Sequence, residues 1–205
     1  MLSLYELHCL INAVKQYEIG IIDIIKKMMT TYTFKTEKDL RNGICLWNNR
    51  RQTSFKKFGH ISYWDVSKIK NMSYLFCGFT EFNNDISRWD VSNVVNMVRM
   101  FYDTLNFNQP LNNWDVSKVT NMYLMFGRSF NFNQPLDNWD VSNVRNMKCM
   151  FNRCIRFNQS LKSWNISKVQ NTSFMFCKCY AMNMERLGWG WNKIKYINNK
   201  GMFYK

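Results

Sequence analysis

Seven cysteines (Cys9, Cys45, Cys77, Cys149, Cys154, Cys177, Cys179) and two histidines (His8, His60) are the residues of this 205-residue sequence best suited to metal or nucleophilic chemistry. None stands in the C-x-x-C or Cys/His spacing that a structural zinc site needs. Neither histidine has a serine or cysteine nucleophile motif beside it, and no triad can be assembled. The sequence therefore predicts no catalytic residue, no metal site, no cofactor and no enzymatic activity. Cys154 and Cys179 lie 25 residues apart at equivalent places in neighbouring copies of a repeat, and are read as small semi-apolar side chains rather than as a disulfide. An odd thiol count with no export signal fits a reducing, intracellular compartment.

The charged residues are more informative. Asp65, Asp90, Asp115 and Asp140 recur every 25 residues and are continued by Asn165 and Asn192. A row of neighbouring carboxylates repels itself unless something offsets the charge. Ser67, Ser92, Ser117 and Ser142, each two residues further on, supply hydroxyls and amides for that purpose. They are preferred over bound calcium, for which a Gly-rich liganding loop is missing, and over paired-carboxylate catalysis. With Lys68, Lys118 and Lys168 the aspartates form a mixed-charge strip, the candidate partner-binding surface. The net charge is +14, and residues 141–205 carry 12 basic side chains against 1 acidic. Arg145, Lys148, Arg153, Arg156, Lys162 and Lys178 are the candidate basic patch for a nucleic-acid backbone. Their irregular offsets within the repeat dilute such a surface, so a protein partner is the first reading and nucleic acid the second.

What positions these residues is the repeat itself. Trp64, Trp89, Trp114, Trp139, Trp164 and Trp189 are each 25 residues apart; in the last copy the frame slips by two, so that Trp191 has Asn198, Met202 and Phe203 at the usual distances. An Asn follows seven residues after each Trp (Asn71 to Asn171) and a Phe twelve after it (Phe76 to Phe176). Units this short cannot bury their own apolar face and must stack. Alternation in Trp114-Asp115-Val116-Ser117 predicts a short strand, and the spacing of Val119, Met122, Met125 and Phe126 predicts a short helix. The expected fold is an α/β repeat solenoid, a leucine-rich-repeat-like stack of strand-plus-helix units with a helical N-terminal cap. Its divisions are residues 1–32, an amphipathic helical extension; 33–63, the cap and entry segment; and 64–205, the repeats. The Trp, Val, Met and Phe ladders are read as core rather than as stacking platforms for bases. Hydrophobic residues make up 46% of the chain, enough for a core, and no apolar run approaches the roughly 20 residues of a membrane span.

Phe107-Asn108-Gln109-Pro110-Leu111-Asn112-Asn113-Trp114-Asp115-Val116-Ser117, running on to Met125-Phe126, closely resembles the repeat of the BspA-like leucine-rich-repeat proteins. That family was defined on bacterial and mycoplasma surface proteins and also occurs in protists and large DNA viruses. The resemblance covers about residues 60–205, and Phe34 to Phe76 is similar to the family's entry segment. It implies a leucine-rich-repeat-like fold with a helical cap, a role as an interaction or adhesion module, and no transferable catalytic residue. The expected function is a non-enzymatic protein-interaction scaffold, with a nucleic-acid-binding protein or a structural, virion-associated component as alternatives.

Overall fold

The computed structural model describes residues 14–16, 18, 20, 31–187 and 201–204. The five described residues before 31 are helical; the rest of the expected extension over 1–32 lies outside the described residues, as does the unit beginning at Trp191 apart from 201–204.

The stack begins with a half-rung. The Phe34 N–H donates to the Asp65 carbonyl and the Asp65 N–H to the Tyr32 carbonyl, both at 2.9 Å. Thr36 then caps helix α1 (Glu37–Asn49) by accepting the Asp39 N–H, with Glu37 and Asp39 at the favourable end of the helix dipole. Leu40, Ile44 and Trp47 fall at helical spacing and are buried over the open end of the first rung, where Trp47 meets Trp64 at 5.8 Å. Gly43 is required there, because a Cβ would come within 2.8 Å of the Phe34 ring. Helix α2 (Arg51–Phe58) follows at once and ends on Gly59, whose φ of 74° suits only glycine comfortably. A 3-10 turn, Ile61–Tyr63, leads into Trp64.

The expected units of strand plus helix do not form. Among the described residues there is no strand and no sheet, and the repeats contain no α-helix. Neighbouring rungs meet in isolated parallel bridges at Asn71, Asn96, Asn121, Asn146 and Asn171, seven residues past the start of the expected strand. Two physical causes account for this. At the Trp-Asp-Val-Ser segment, the Asp115 Oδ1 accepts the Ser117 N–H at 3.0 Å, and the Val119 N–H returns to the Val116 carbonyl at 2.9 Å. These local bonds take the amides a strand ladder would need. In the expected helix Leu124 has a φ of 54°, which no α-helix tolerates, and Arg128 just beyond it has a φ of 60°.

What forms instead is a run of tight turns. Within the third rung the Met125 and Gly127 N–H groups bond back three residues, to Met122 and Leu124. The alternate N–H groups, of Met122, Leu124, Phe126 and Arg128, donate to Asn146, Lys148, Met150 and Asn152 of the next rung at 2.7–3.0 Å. The same stitching joins the second rung to the third and the fourth to the fifth. Left-handed residues recur ten and fourteen positions after the Trp: Tyr74 and Gly78, Arg99 and Asp103, Leu124 and Arg128, Cys149 and Arg153, Phe174 and Lys178. They stand where a type II turn needs a positive φ. A return every three residues also explains why the apolar spacing imitates a helix.

The stacked turns send Phe76, Phe101, Phe126, Phe151 and Phe176 into one column with ring centroids 5.4–5.6 Å apart. Phe82, Phe107, Phe132 and Phe157 form a second, at 5.9–6.0 Å. Trp89, Trp114 and Trp139 are buried as the ladder reading requires, and each indole N–H donates to the carbonyl 28 residues earlier, at the turn leading into the preceding Trp: Ile61, Ile86 and Leu111. Gly78→Ala is expected to cost about 1 kcal/mol, the left-handed strain of an L-residue. No atom lies within 4 Å of the added methyl, so a loss several times larger in urea unfolding would point to a contact that this geometry lacks.

Candidate functional site

The carboxylate row is held by the turn that replaced the strand. Ser67, Ser92, Ser117 and Ser142 each donate their N–H to the Asp two residues before, at 2.9–3.0 Å. The Ser117 and Ser142 hydroxyls and N–H groups hold Asp115 and Asp140 below the ordinary aspartate range. At Asp65 burial pushes the carboxyl up, but the Ser67 and Thr33 hydrogen bonds outweigh it and leave the net shift downward. A depressed folded pKa stabilises the fold above the unfolded aspartate range and loses that contribution as pH falls through the folded value, so the effect belongs below about pH 4. Ser117→Ala should raise the Asp115 pKa toward 3.8, read by carboxyl NMR titration; an unchanged value would remove the hydroxyl from this account.

The lysines of the strip are tied into it. Lys118 Nζ donates to Asn93 Oδ1 and Lys168 Nζ to Asn143 Oδ1, both at 2.7 Å. Asn93 and Asn143 donate in turn to the Ser67 and Ser117 carbonyls of the rung before. Asp65, Asp90, Asp115 and Asp140 therefore run beside an ordered Lys/Asn row that begins at the exposed Lys68. The basic candidates are not gathered in this way. Arg153 and Lys178 share one ladder with Arg128, whose Nε pairs with Asp103 at 2.8 Å. Arg145 is stitched to Thr120, Lys148 is half-buried beside the Asn146 turn, and Arg156 and Lys162 are exposed on other ladders.

Cys154 and Cys179 are buried free thiols in a ladder of hydroxyl-like donors that begins with Thr104 and Ser129. Cys154 Sγ donates to the Ser129 carbonyl at 3.0 Å and Cys179 Sγ to the Cys154 carbonyl at 2.9 Å. Burial raises the Cys154 thiol far above its usual range and pushes Cys179 up to about 12. Both should resist a thiol reagent at about pH 8 in the folded protein and react fully once it is unfolded; rapid native labelling of either would contradict their burial.

Three features were missed by the sequence reading. The first is a second Asn ladder: Asn83, Asn108 and Asn133 each accept the backbone N–H of the residue 25 further on, at 2.9 Å, and Gln109, Gln134 and Gln159 reinforce it. Its regular spacing was as legible as that of Asn71 to Asn171. The second is a cluster built from three rungs. Tyr74, Tyr102 and Tyr123 surround the Arg99 guanidinium at 5.3–5.6 Å. Arg99 Nε is buried without a hydrogen-bond partner, and the Tyr123 side chain contributes most to favouring the charged form. No repeated residue type announces this group, because each member sits at a variable position. The third is a cleft of about 340 Å³ between α2 and the first rung.

Among the described residues no three His, Cys, Asp or Glu side chains are grouped to hold a metal ion, and no helix is long and apolar enough to cross a membrane. The rungs thus define a repeat protein whose fixed interior carries variable outer ladders. The chain belongs to the family described as Mycoplasma protein of unknown function, DUF285, whose model matches residues 46–148 and again 113–205. Two overlapping matches to one model are what an internal repeat produces. No curated protein and no solved structure matches the chain.

Proposed function

We propose that this protein is a non-enzymatic protein–protein interaction scaffold of the BspA-like kind, working in an intracellular setting where its thiols stay reduced. The observation that carries the reading is the Arg99 cluster. Arginine and tyrosine dominate the energetics of protein interfaces, and here the stacking of three rungs brings one arginine and three tyrosines together. Tyr74 remains 48% exposed, so the cluster is available to a partner while the hydrogen bonds beneath it hold its shape. The Asp/Lys strip supplies charges of both signs, which favours selective docking and steering over bulk affinity.

The test is affinity capture from native extract, with and without nuclease, by the unaltered protein and by a Tyr74→Ala/Arg99→Ser variant. The scaffold reading expects a discrete protein partner that survives nuclease and is lost from the folded variant. Loss on nuclease, together with loss on charge reversal of Arg145, Lys148, Arg153 and Arg156, would transfer the function to nucleic acid.

A further inference from the structure

The cleft beside α2 lies apart from the Arg99 cluster and has a one-sided chemistry. Phe55 and the buried Trp47 form its apolar floor, and Arg51, Gln52, Lys56, His60 and Asn84 line it. Gln52 carries both a donor and an acceptor, and the other four polar side chains offer donors. Arg51 lies over the Trp47 ring at 5.4 Å, and among the described residues neither it nor Lys56 has a carboxylate in ion-pair contact. His60 Nδ1 accepts the Ser62 N–H at 3.3 Å, which leaves the proton on Nε2. Burial, followed by the charge of Arg51, keeps His60 below its usual pKa against the opposing pull of Asp85, so the neutral donor form prevails at neutral pH. Asn84 Oδ1 is occupied by the Trp47 indole N–H at 3.1 Å, leaving its amide hydrogens free. An apolar floor under two cations, two neutral donors and one amide that both donates and accepts calls for an apolar body carrying one carboxylate.

We propose that this cleft binds the free carboxyl terminus of a peptide that ends in an aromatic residue. The choice of a peptide over a free small acid rests on the scaffold reading and on the size of the cleft, which has room for an aromatic side chain and the backbone leading to it. The terminal carboxylate lies against Arg51 and Lys56, the ring lies on Phe55 beside the buried Trp47, and the Asn84 amide donates to the last peptide carbonyl. The guanidinium already lies over the Trp47 ring, 5.4 Å from its centroid, at the wall of the cleft where the carboxylate would meet it.

The experiment follows the Trp47 indole N–H and His60 ring resonances of the full chain by NMR while acetyl-Gly-Gly-Phe is added. A saturable shift is expected with a Kd on the order of 1 mM, as for a ligand of this size. The peptide amide and 3-phenylpropanoate should each bind several-fold more weakly, and Arg51→Gln/Lys56→Gln should weaken the peptide acid by about tenfold or more. The Trp139 indole resonance, deep in the stack, reports that the variant is folded. Equal binding of the amide, equal or tighter binding of 3-phenylpropanoate, an unaffected double variant, or no saturable shift would each overturn the assignment. None of these outcomes touches the Arg99 face, where the scaffold reading is tested separately.

Discussion

Trp114→Ala is expected to destabilise the fold by about 3–5 kcal/mol, the range for deleting a large buried aromatic. The indole is 3% exposed, and its Nε1–H donates to the Ile86 carbonyl at 3.2 Å. Alanine would leave a cavity in the third rung and strand the Ile86 carbonyl at the turn leading into the second, so two levels of the stack lose support at once. Trp114→Phe separates the two terms: it keeps most of the apolar volume and should cost about 1–3 kcal/mol, mainly for the carbonyl. Both are read from urea midpoints at unchanged m-value. If the alanine variant lost less than the phenylalanine variant, the indole could not be the peg between rungs.

The second large effect is at Phe126. Its ring lies 5.4 Å from Phe101, 5.6 Å from Phe151 and 4.0 Å from Phe132, with no exposed surface. Phe126→Ala should also cost about 3–5 kcal/mol. Phe203 occupies the same place in the final rung, but it is only partly buried and stacks on Phe176 at 5.5 Å. Phe203→Ala should cost less than half as much, because its ring is only partly buried. Equal losses at Phe126 and Phe203, measured by the same unfolding series, would be inconsistent with stability built rung upon rung.

The stacking was legible because it depends on composition at fixed intervals. Trp, Val, Met and Phe recur at one spacing, so each must meet its own copy in the next rung, and Trp89, Trp114 and Trp139 are buried accordingly. The local conformation was not legible, because periodicity reports which side chains face inward and not which carbonyl each amide finds. A chain returning every three residues by turns leaves the same apolar trace as a helix. Gly78 and Gly201 were the available hints, standing where other rungs hold left-handed Asp103, Arg128, Arg99 or Leu124. Asp115 misled in the same way: its alternation with Trp114 and Val116 suggested a strand, while its carboxylate was closing a turn onto Ser117.

Among the candidate site residues, the Asp and Lys ladders could be read because they repeat. The Arg99 cluster could not, since Tyr74 and Arg99 share one repeat offset with unlike residues, Tyr102 and Tyr123 stand at two others, and the four meet only through the stacking of three rungs. The cleft depends on how α2 lies against the entry turn, and Asn84 joins Trp47 across 37 residues that share no repeat position. Such sites follow from tertiary placement, which a single sequence does not encode in its spacing.

The central claim is that alternate amides bond forward to the next rung instead of back along a helix. Couplings across hydrogen bonds, from amide nitrogen to carbonyl carbon, read this directly by NMR. The account predicts such a coupling from the Phe126 nitrogen to the Met150 carbonyl, a pair bonded at 2.9 Å, and equivalents from Leu124 to Lys148 and from Arg128 to Asn152. Couplings from Phe126 to Met122 and from Arg128 to Leu124, the pattern of an α-helix, would contradict it.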